Sequence, residues 1–348
     1  MTELERRIKA KIPGPDTGIE VRHTMCDICS PGMHCGINAY IKDGKVIKIE
    51  GIDGHPSNDG RLCTKGMANR EYIYREDRIK TPLRRVGKRG EGRFEPISWE
   101  EAYTEIAKGL NRCKEKYGAE SVAFYSGYSK WYRQMLRRLA YAFGSPNYGC
   151  ESSACYTAAF MAWKVAAGEQ GNPDMGHSDL FLGWAFNPFY SSYMGAHSAM
   201  KLKEKGLKFL IVDTRRTPAT EKLADLFLQP KTGTDGALAH AIANVLIEND
   251  WIDRPYIDRY VYGFEEYAAY VKQFNEGNIQ SITGVPYSQV VAAARLIHEN
   301  PRMSCNESSA PLCHHRNGLQ NYRSVMALLA ITGNFDRTGG QKLSVHSY

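Results

Sequence analysis

Residues 179–217 read DLFLGWAFNPFYSSYMGAHSAMKLKEKGLKFLIVDTRRT. Leu180 to Trp184 is a short apolar run, too brief for a helix and without alternation, which is the pattern of a buried strand. A helical stretch, SYMGAHSAMKLKEKG, follows it, and a second apolar run, Phe209 to Val212, ends at Asp213. Strand, helix and strand in that order predict a β-α-β unit, with Gly183 at the end of the first strand and a carboxylate at the end of the second. Strand ends in an open parallel sheet form a crevice, and a carboxylate placed there accepts hydrogen bonds from ribose hydroxyls. No G-x-G-x-x-G accompanies the unit, so on its own it reads equally as a nucleotide site or as scaffold.

On either side the same alternation continues. SVAFYSG (121–127) reads as a strand and YRQMLRRLAYAFG (132–144) as a helix. SWEEAYTEIAKGLNRCKEKYG (98–118) opens with a capping box, Ser98 and Glu101, and sets Ala102, Ile106, Leu110 and Cys113 along one helical face, so Cys113 is expected in a core. In KTGTDGALAHAIANVLIENDWI (231–252), Thr234 or Asp235 is expected to cap a helix whose first amides suit an anion. The predicted fold class is α/β: a small β-rich domain, residues 1–66, followed by two Rossmann-like three-layer α/β domains. One of these is discontinuous, 67–170 plus 291–348, with the strands of SVAFYSG and PRMSCNESSA (301–310) sharing a sheet; the other is 171–290.

The chain has 348 residues, 43% of them hydrophobic and 24% charged, which describes a soluble protein with room for several cores. Arg6-Arg7 is followed by no apolar run and no window approaches a membrane span, so a cytoplasmic address without membrane insertion is expected. The formal charge of +7 is concentrated in KTPLRRVGKRGEGR (80–93), a solvated basic loop or a surface for a polyanion. Nine cysteines are too few and too odd in number for a disulfide scaffold.

Four of those cysteines form C-x2-C-x5-C-x27-C: Cys26, Cys29, Cys35 and Cys63. Such a set of soft thiolates selects zinc or an iron–sulfur cluster. Between the third and fourth, GINAYIKDGKVIKIEG (36–51) reads as a hairpin turning at Lys42-Asp43-Gly44-Lys45 and carries the chain out and back. Spacing leaves the choice of metal open.

The run RLCTKGMANREYIYREDRIKTPLRRVGKRGEGRFEPISWEEA (61–102) resembles the molybdopterin oxidoreductases of the dimethyl sulfoxide reductase superfamily. The resemblance is carried by Cys63, Lys65, Gly66, Asp77, Arg78, Ile79, Pro82, Leu83, Arg85, Gly87, Arg89, Gly90, Gly92, Phe94, Ile97, Ser98, Trp99, Glu101 and Ala102. It implies a [4Fe-4S] cluster on Cys26, Cys29, Cys35 and Cys63, and bis-molybdopterin guanine dinucleotide with molybdenum or tungsten. Relatives surround a guanosine and its pyrophosphate with motifs matched here by Gly183, Asn187 and Pro188; by Asp213, Arg215, Thr217 and Thr220; and by Gly233, Thr234 and Asp235. Asn317 and Gly318 match a segment running beside a pterin, where His315 is a candidate catalytic residue in contact with cofactor or substrate, or else part of a plain loop with His314. The resemblance further implies Cys155 in GSPNYGCESSACYTAAFMAWK (144–164) as the protein donor to the metal, and Lys65 between cluster and pterin. Cys305 and Cys313 have no ligand spacing and are expected to be structural.

Three departures stand out. Five residues, among them Pro31 and Gly32, separate the second and third cysteines where the family commonly has three; Thr220 replaces a usual alanine; and the first nucleotide motif is lengthened before Asn187. Within the family the layout is loosely similar to the acetylene hydratase, catechol dehydroxylase and transhydroxylase group. Ser30 stands where acetylene hydratase has a catalytic aspartate, which argues against hydration by that route; a reductive role on an organic hydroxyl or oxo compound is the expectation within the group, with a formate dehydrogenase or an oxyanion reductase as the alternatives.

Relatives are about twice this length. The chain is therefore expected to be a catalytic subunit's N-terminal half, a subunit completed by a separate chain supplying the C-terminal half, or a reduced form. An iron–sulfur electron-transfer subunit and a small-molecule substrate are the expected partners, and nucleic acid is not. Two other readings are a zinc-binding nucleic-acid module and a catalytically degenerate paralogue.

Overall fold

A computed structural model describes residues 2–29, 34–128 and 131–344. Ser30, Pro31 and Gly32 lie outside the described residues. The chain divides into two compact units, 1–151 and 152–348.

In the first unit, helix α1 (Glu3–Lys9) is opened by a capping box of Thr2 and Glu5. Strands β1 (Glu20–Met25), β2 (Gly36–Lys42) and β3 (Lys45–Gly51) form an antiparallel sheet in sequence order. The hairpin expected between β2 and β3 is present, and Asp43 (φ 51°) and Gly44 (φ 72°) supply the left-handed pair that a tight two-residue turn needs. Ile37, Ala39 and Ile49 make its small core with Cys26, Val46 and Leu62 around them. Then come α2 (Thr64–Ile73), the hairpin of β4 (Leu83–Arg85) and β5 (Phe94–Pro96), α3 (Trp99–Tyr117), β6 (Phe124–Ser126), α4 (Arg133–Phe143) and β7 (Tyr148–Cys150).

Helix α3 starts at the expected capping box. None of its residues is buried: Ile106 is 58% exposed and Ala102, Leu110 and Cys113 are half-buried, so the face expected to enter a core is only partly covered.

The second unit begins with α5 (Ser152–Cys155), α6 (Thr157–Ala167) and β8 (Gly171–Pro173), and continues through the β-α-β unit that the sequence announces. Strand β9 (Leu180–Trp184) leads through α7 (Pro188–Ser191) and α8 (Tyr193–Glu204) to β10 (Lys208–Val212), and α9 (Pro218–Lys222) leads to β11 (Leu226–Leu228). After α10 (Asp235–Glu248), α11 (Arg254–Tyr260), α12 (Phe264–Val271), α13 (Ile279–Thr283) and α14 (Tyr287–Glu299), strand β12 (Met303–Glu307) returns to the sheet. The order is β11-β10-β9-β12, parallel throughout. Leu180, Leu182, Leu210 and Val212 point into one core and Phe181, Phe209 and Ile211 into the other, which is why neither strand alternates in polarity. The unit ends with α15 (Ser309–Cys313), α16 (Gly318–Ile331) and β13 (Gln341–Leu343), paired to β8.

One strand partner differs from expectation. The strand in 301–310 pairs with β9, while the strand in 121–127 pairs with β7. Short apolar runs carry burial but no partner information, and Met303–Glu307 finds the free edge of β9 within its own unit.

Candidate functional site

The sequence predicts a thiol cluster, and the first unit brings the four cysteines together. Cys26 follows β1 and Cys35 precedes β2, joined by a hydrogen bond from the Cys26 N–H to the Cys35 carbonyl at 2.8 Å. Asn58, 2% exposed, knots the return loop: its amide accepts from Gly36 N–H at 2.7 Å and donates to the Gly36 and Arg61 carbonyls at 3.0 and 2.7 Å. The loop thereby delivers Cys63 to the start of α2. From α2, the Lys65 Nζ donates to Cys29 Sγ at 3.4 Å and, one turn on, Asn69 donates to Cys26 Sγ at 3.5 Å. Burial pushes the Cys35 thiol up, and so do the sulfurs of Cys26, Cys63 and Cys29 around it.

Thiols that repel one another when ionised are satisfied by metal cations. Among the described residues, no three histidine, cysteine or acidic side chains close on a single ion position. A four-iron cluster asks for something else, one thiolate at each of four corners, and the residues present fit that group. Asn69, on the face of α2 that carries Lys65, is missing from the sequence reading; the four-residue spacing was its available signal.

In the second unit the nucleotide-motif residues lie at the carboxyl ends of parallel strands. Gly183 in β9 admits no side chain, since a Cβ would stand 2.7 Å from Ile211 Cδ1 and 2.9 Å from Phe186 Cβ. Ala185 takes a left-handed φ of 55° to turn the chain, and Asn187 precedes α7 with Pro188 at its first position. The Asn187 Oδ1 is buried without a partner. Asp213 follows β10 half-buried; burial raises its carboxyl, and acceptance of the Arg215 N–H at 3.1 Å opposes that. Arg215 itself is exposed. Thr217 and Thr220 form a capping box on α9, so the residue that departs from alanine supplies the reciprocal bond to the Thr217 N–H at 2.9 Å.

Gly233 has a φ of 83°. Thr234 stands at the start of α10, but its hydroxyl donates back to the Lys231 carbonyl at 2.7 Å, and the Asp235 carboxylate accepts from the Trp184 indole at 2.8 Å. Neither caps the helix, contrary to expectation, because each side chain is engaged by a nearer donor or acceptor. Beyond β10 and β11 opens a cleft of about 520 Å³ lined by Thr214, Arg216, Phe227, Gln229, Lys231 and Gln289 among others. Its two cations over a polar floor suit a phosphate; the orphaned Asn187 oxygen and the first amides of α10 lie outside its lining and are separate features of the same sheet end. Arg216 and Lys231 were not singled out from the sequence, where they stand among other surface cations.

Cys155 closes the short helix α5, half-buried, and Tyr156 stands at the start of α6. His314 Nε2 donates to the Cys155 carbonyl at 3.0 Å, while exposed His315 faces the Asn321 amide at 3.3 Å. Asn317 precedes α16 and Gly318 opens it, pressed so closely on the Cys313 backbone that only glycine fits. Cys305 and Cys313 are buried, as expected for structural thiols. Burial, then Glu307 and Cys155, push the Cys313 thiol up to about 11. Among the described residues no helix is long and apolar enough to cross a membrane.

Comparison with known proteins agrees with this geometry. Residues 19–75 match the family described as Molybdopterin oxidoreductase Fe4S4 domain, and residues 78–347 match Molybdopterin oxidoreductase. The chain is 33% identical over 331 residues to a Bacillus subtilis protein named "Probable oxidoreductase YoaE", covering 93% of this chain and 48% of that one. It is 29% identical to the thiosulfate reductase molybdopterin-containing subunit PhsA of Salmonella typhimurium, covering 94% and 43%. Among solved structures, acetylene hydratase from Pelobacter acetylenicus superposes with a TM-score of 0.80 at 28% identity, covering 92% of this chain and 44% of that one. The chain thus spans about half the length of the relatives it matches. On these matches, together with its converging cysteines, the chain belongs to the molybdopterin oxidoreductase family.

Proposed function

We propose that the chain forms the cluster-bearing, guanosine-binding part of a molybdenum or tungsten enzyme that works by two-electron redox, or by oxygen or hydroxyl transfer, on a small substrate. The observation that carries this is the convergence of Cys26, Cys29, Cys35 and Cys63 with Lys65 hydrogen-bonded to one of them. When bound, the pterin metal supplies two-electron chemistry and the cluster passes electrons singly.

The chain's own residues then have separable tasks. Cys26, Cys29, Cys35 and Cys63 hold the cluster, and the ammonium of Lys65 at Cys29 offsets negative charge there. Asp213 and the backbone around Gly183 and Gly233 receive the ribose, while Arg215, Thr217, Thr234 and Asp235 line the turns around the nucleotide. Asn187 offers its free oxygen to an N–H donor. Cys155 is the thiolate donor to the metal, with its segment held by His314. Asn317, Gly318 and His315 face the pterin side.

The substrate class we favour is an organic hydroxyl or oxo compound reduced at the metal. The relatives named as subunits support a separate electron-transfer partner, and their greater length supports a further polypeptide portion that completes the site. Elemental analysis after purification without oxygen tests the reading. Iron and molybdenum or tungsten in one protein are the expected result, and Cys63→Ser should lose the iron while Cys155→Ser retains it. Zinc alone would sink the proposal.

A further inference from the structure

The carboxyl end of β12 carries a group that none of these tasks uses. Glu307 is 8% exposed and stands opposite Trp184 in the sheet register. Its Oε2 accepts from the Tyr322 hydroxyl at 3.4 Å, which in turn accepts from the Trp163 indole at 3.4 Å, and the Cys305 thiol bonds to the same carboxyl. Oε1 is buried with no partner. Neither protonation state is complete: an ionised Oε1 lacks a donor, and a protonated one lacks an acceptor.

The titratable groups facing it are Cys305 on its own strand, Tyr322 from α16, Tyr156 from the α5–α6 junction and Cys313 from α15. No cation among the described residues offsets its charge. Solvent is near on one side, since Tyr156 and Cys155 are half-buried and His314, bonded to Cys155, is exposed.

We propose that Glu307 is a proton-storage site, exchanging one proton at Oε1 with water admitted past Tyr156 and supplying it to the reaction on the Cys155 side. An O–H bond forms at Oε1 as one in the water chain breaks, the reverse occurs on release, and no electron moves. Burial holds this carboxyl at about 7, so both states are populated near neutrality. Its use in turnover rests on the function proposed above, whereas its proton exchange does not, and the exchange is what the experiment reads.

Infrared spectra of the full chain with ¹³C-labelled glutamate, stepped in pH in H₂O and D₂O, test it. The expected result is a carboxylic-acid band that is lost around pH 7 and is absent from Glu307→Gln. It should shift in D₂O without unfolding, and Tyr322→Phe should move its midpoint upward by removing a donor to the charged form. Spectra of the wild type and Glu307→Gln that superimpose, titration at the ordinary value of 4.5, or failure to exchange would overturn it. Should Glu307→Gln not fold, the D₂O shift and the Tyr322→Phe midpoint decide alone, and an unmoved midpoint counts against the proposal.

Discussion

At Gly183 the close approach of Ile211 and Phe186 leaves no volume for a methyl group. Gly183→Ala should cost about 1–3 kcal/mol through overpacking, read as a lower urea midpoint at unchanged slope. The sequence singled out this glycine for its place at a strand end, but the contacts that exclude a side chain come from Ile211 in β10 and Phe186 in the loop after β9. His240 is a second case. It bonds Tyr267 and Ser324, packs on Phe274, and burial pushes its imidazole down to about 4. A group whose folded value lies below its unfolded one contributes stability above pH 6.5 that is lost as pH falls toward 4. Chemical denaturation across that window should show the loss, and His240→Gln should lower stability at pH 8 while flattening the slope. Nothing in ALAHAIAN distinguishes a core histidine from a ligand, because its partners lie on other helices.

Among elements, the capping box of α3 was legible, while the expected cap of α10 and the buried face of α3 were not. Ser98 with Glu101 and Thr2 with Glu5 are local patterns, and both are formed. Thr217 with Thr220 is equally local, and Thr217→Ala should destabilise by about 1 kcal/mol, measured by equilibrium unfolding. A helical face is different, since its periodicity states only that something apolar is expected opposite. Ile106 on α3 remains 58% exposed, so Ile106→Gln should change stability by less than about 0.5 kcal/mol. A much larger loss would mean that the face is covered in solution. Glu307 shows the converse: an acidic residue ending a strand could have been flagged as Asp213 was, but its enclosure by Trp163 and Tyr322 could not.

For the whole molecule, two units with separate cores of unequal size imply unequal stabilities. The first has a sheet core of three buried side chains, where the cysteines stand, so metal binding should contribute much of its folding free energy. Calorimetry should resolve two transitions, and oxidative loss of iron should lower one and spare the other. The family, the cluster and the α/β class were legible because each rests on contiguous spacing; the membership of β12 was not, because its partner β9 lies across the helices α7 to α14. That topology has a consequence for biosynthesis. A chain emerging from the ribosome can assemble β9, β10 and β11 early, yet until Glu307 has been translated β9 presents a bare apolar edge. The nascent protein is thus a substrate for chaperone capture while residues 185–307 are being translated, and slowing the codons between 185 and 302 should raise the insoluble fraction.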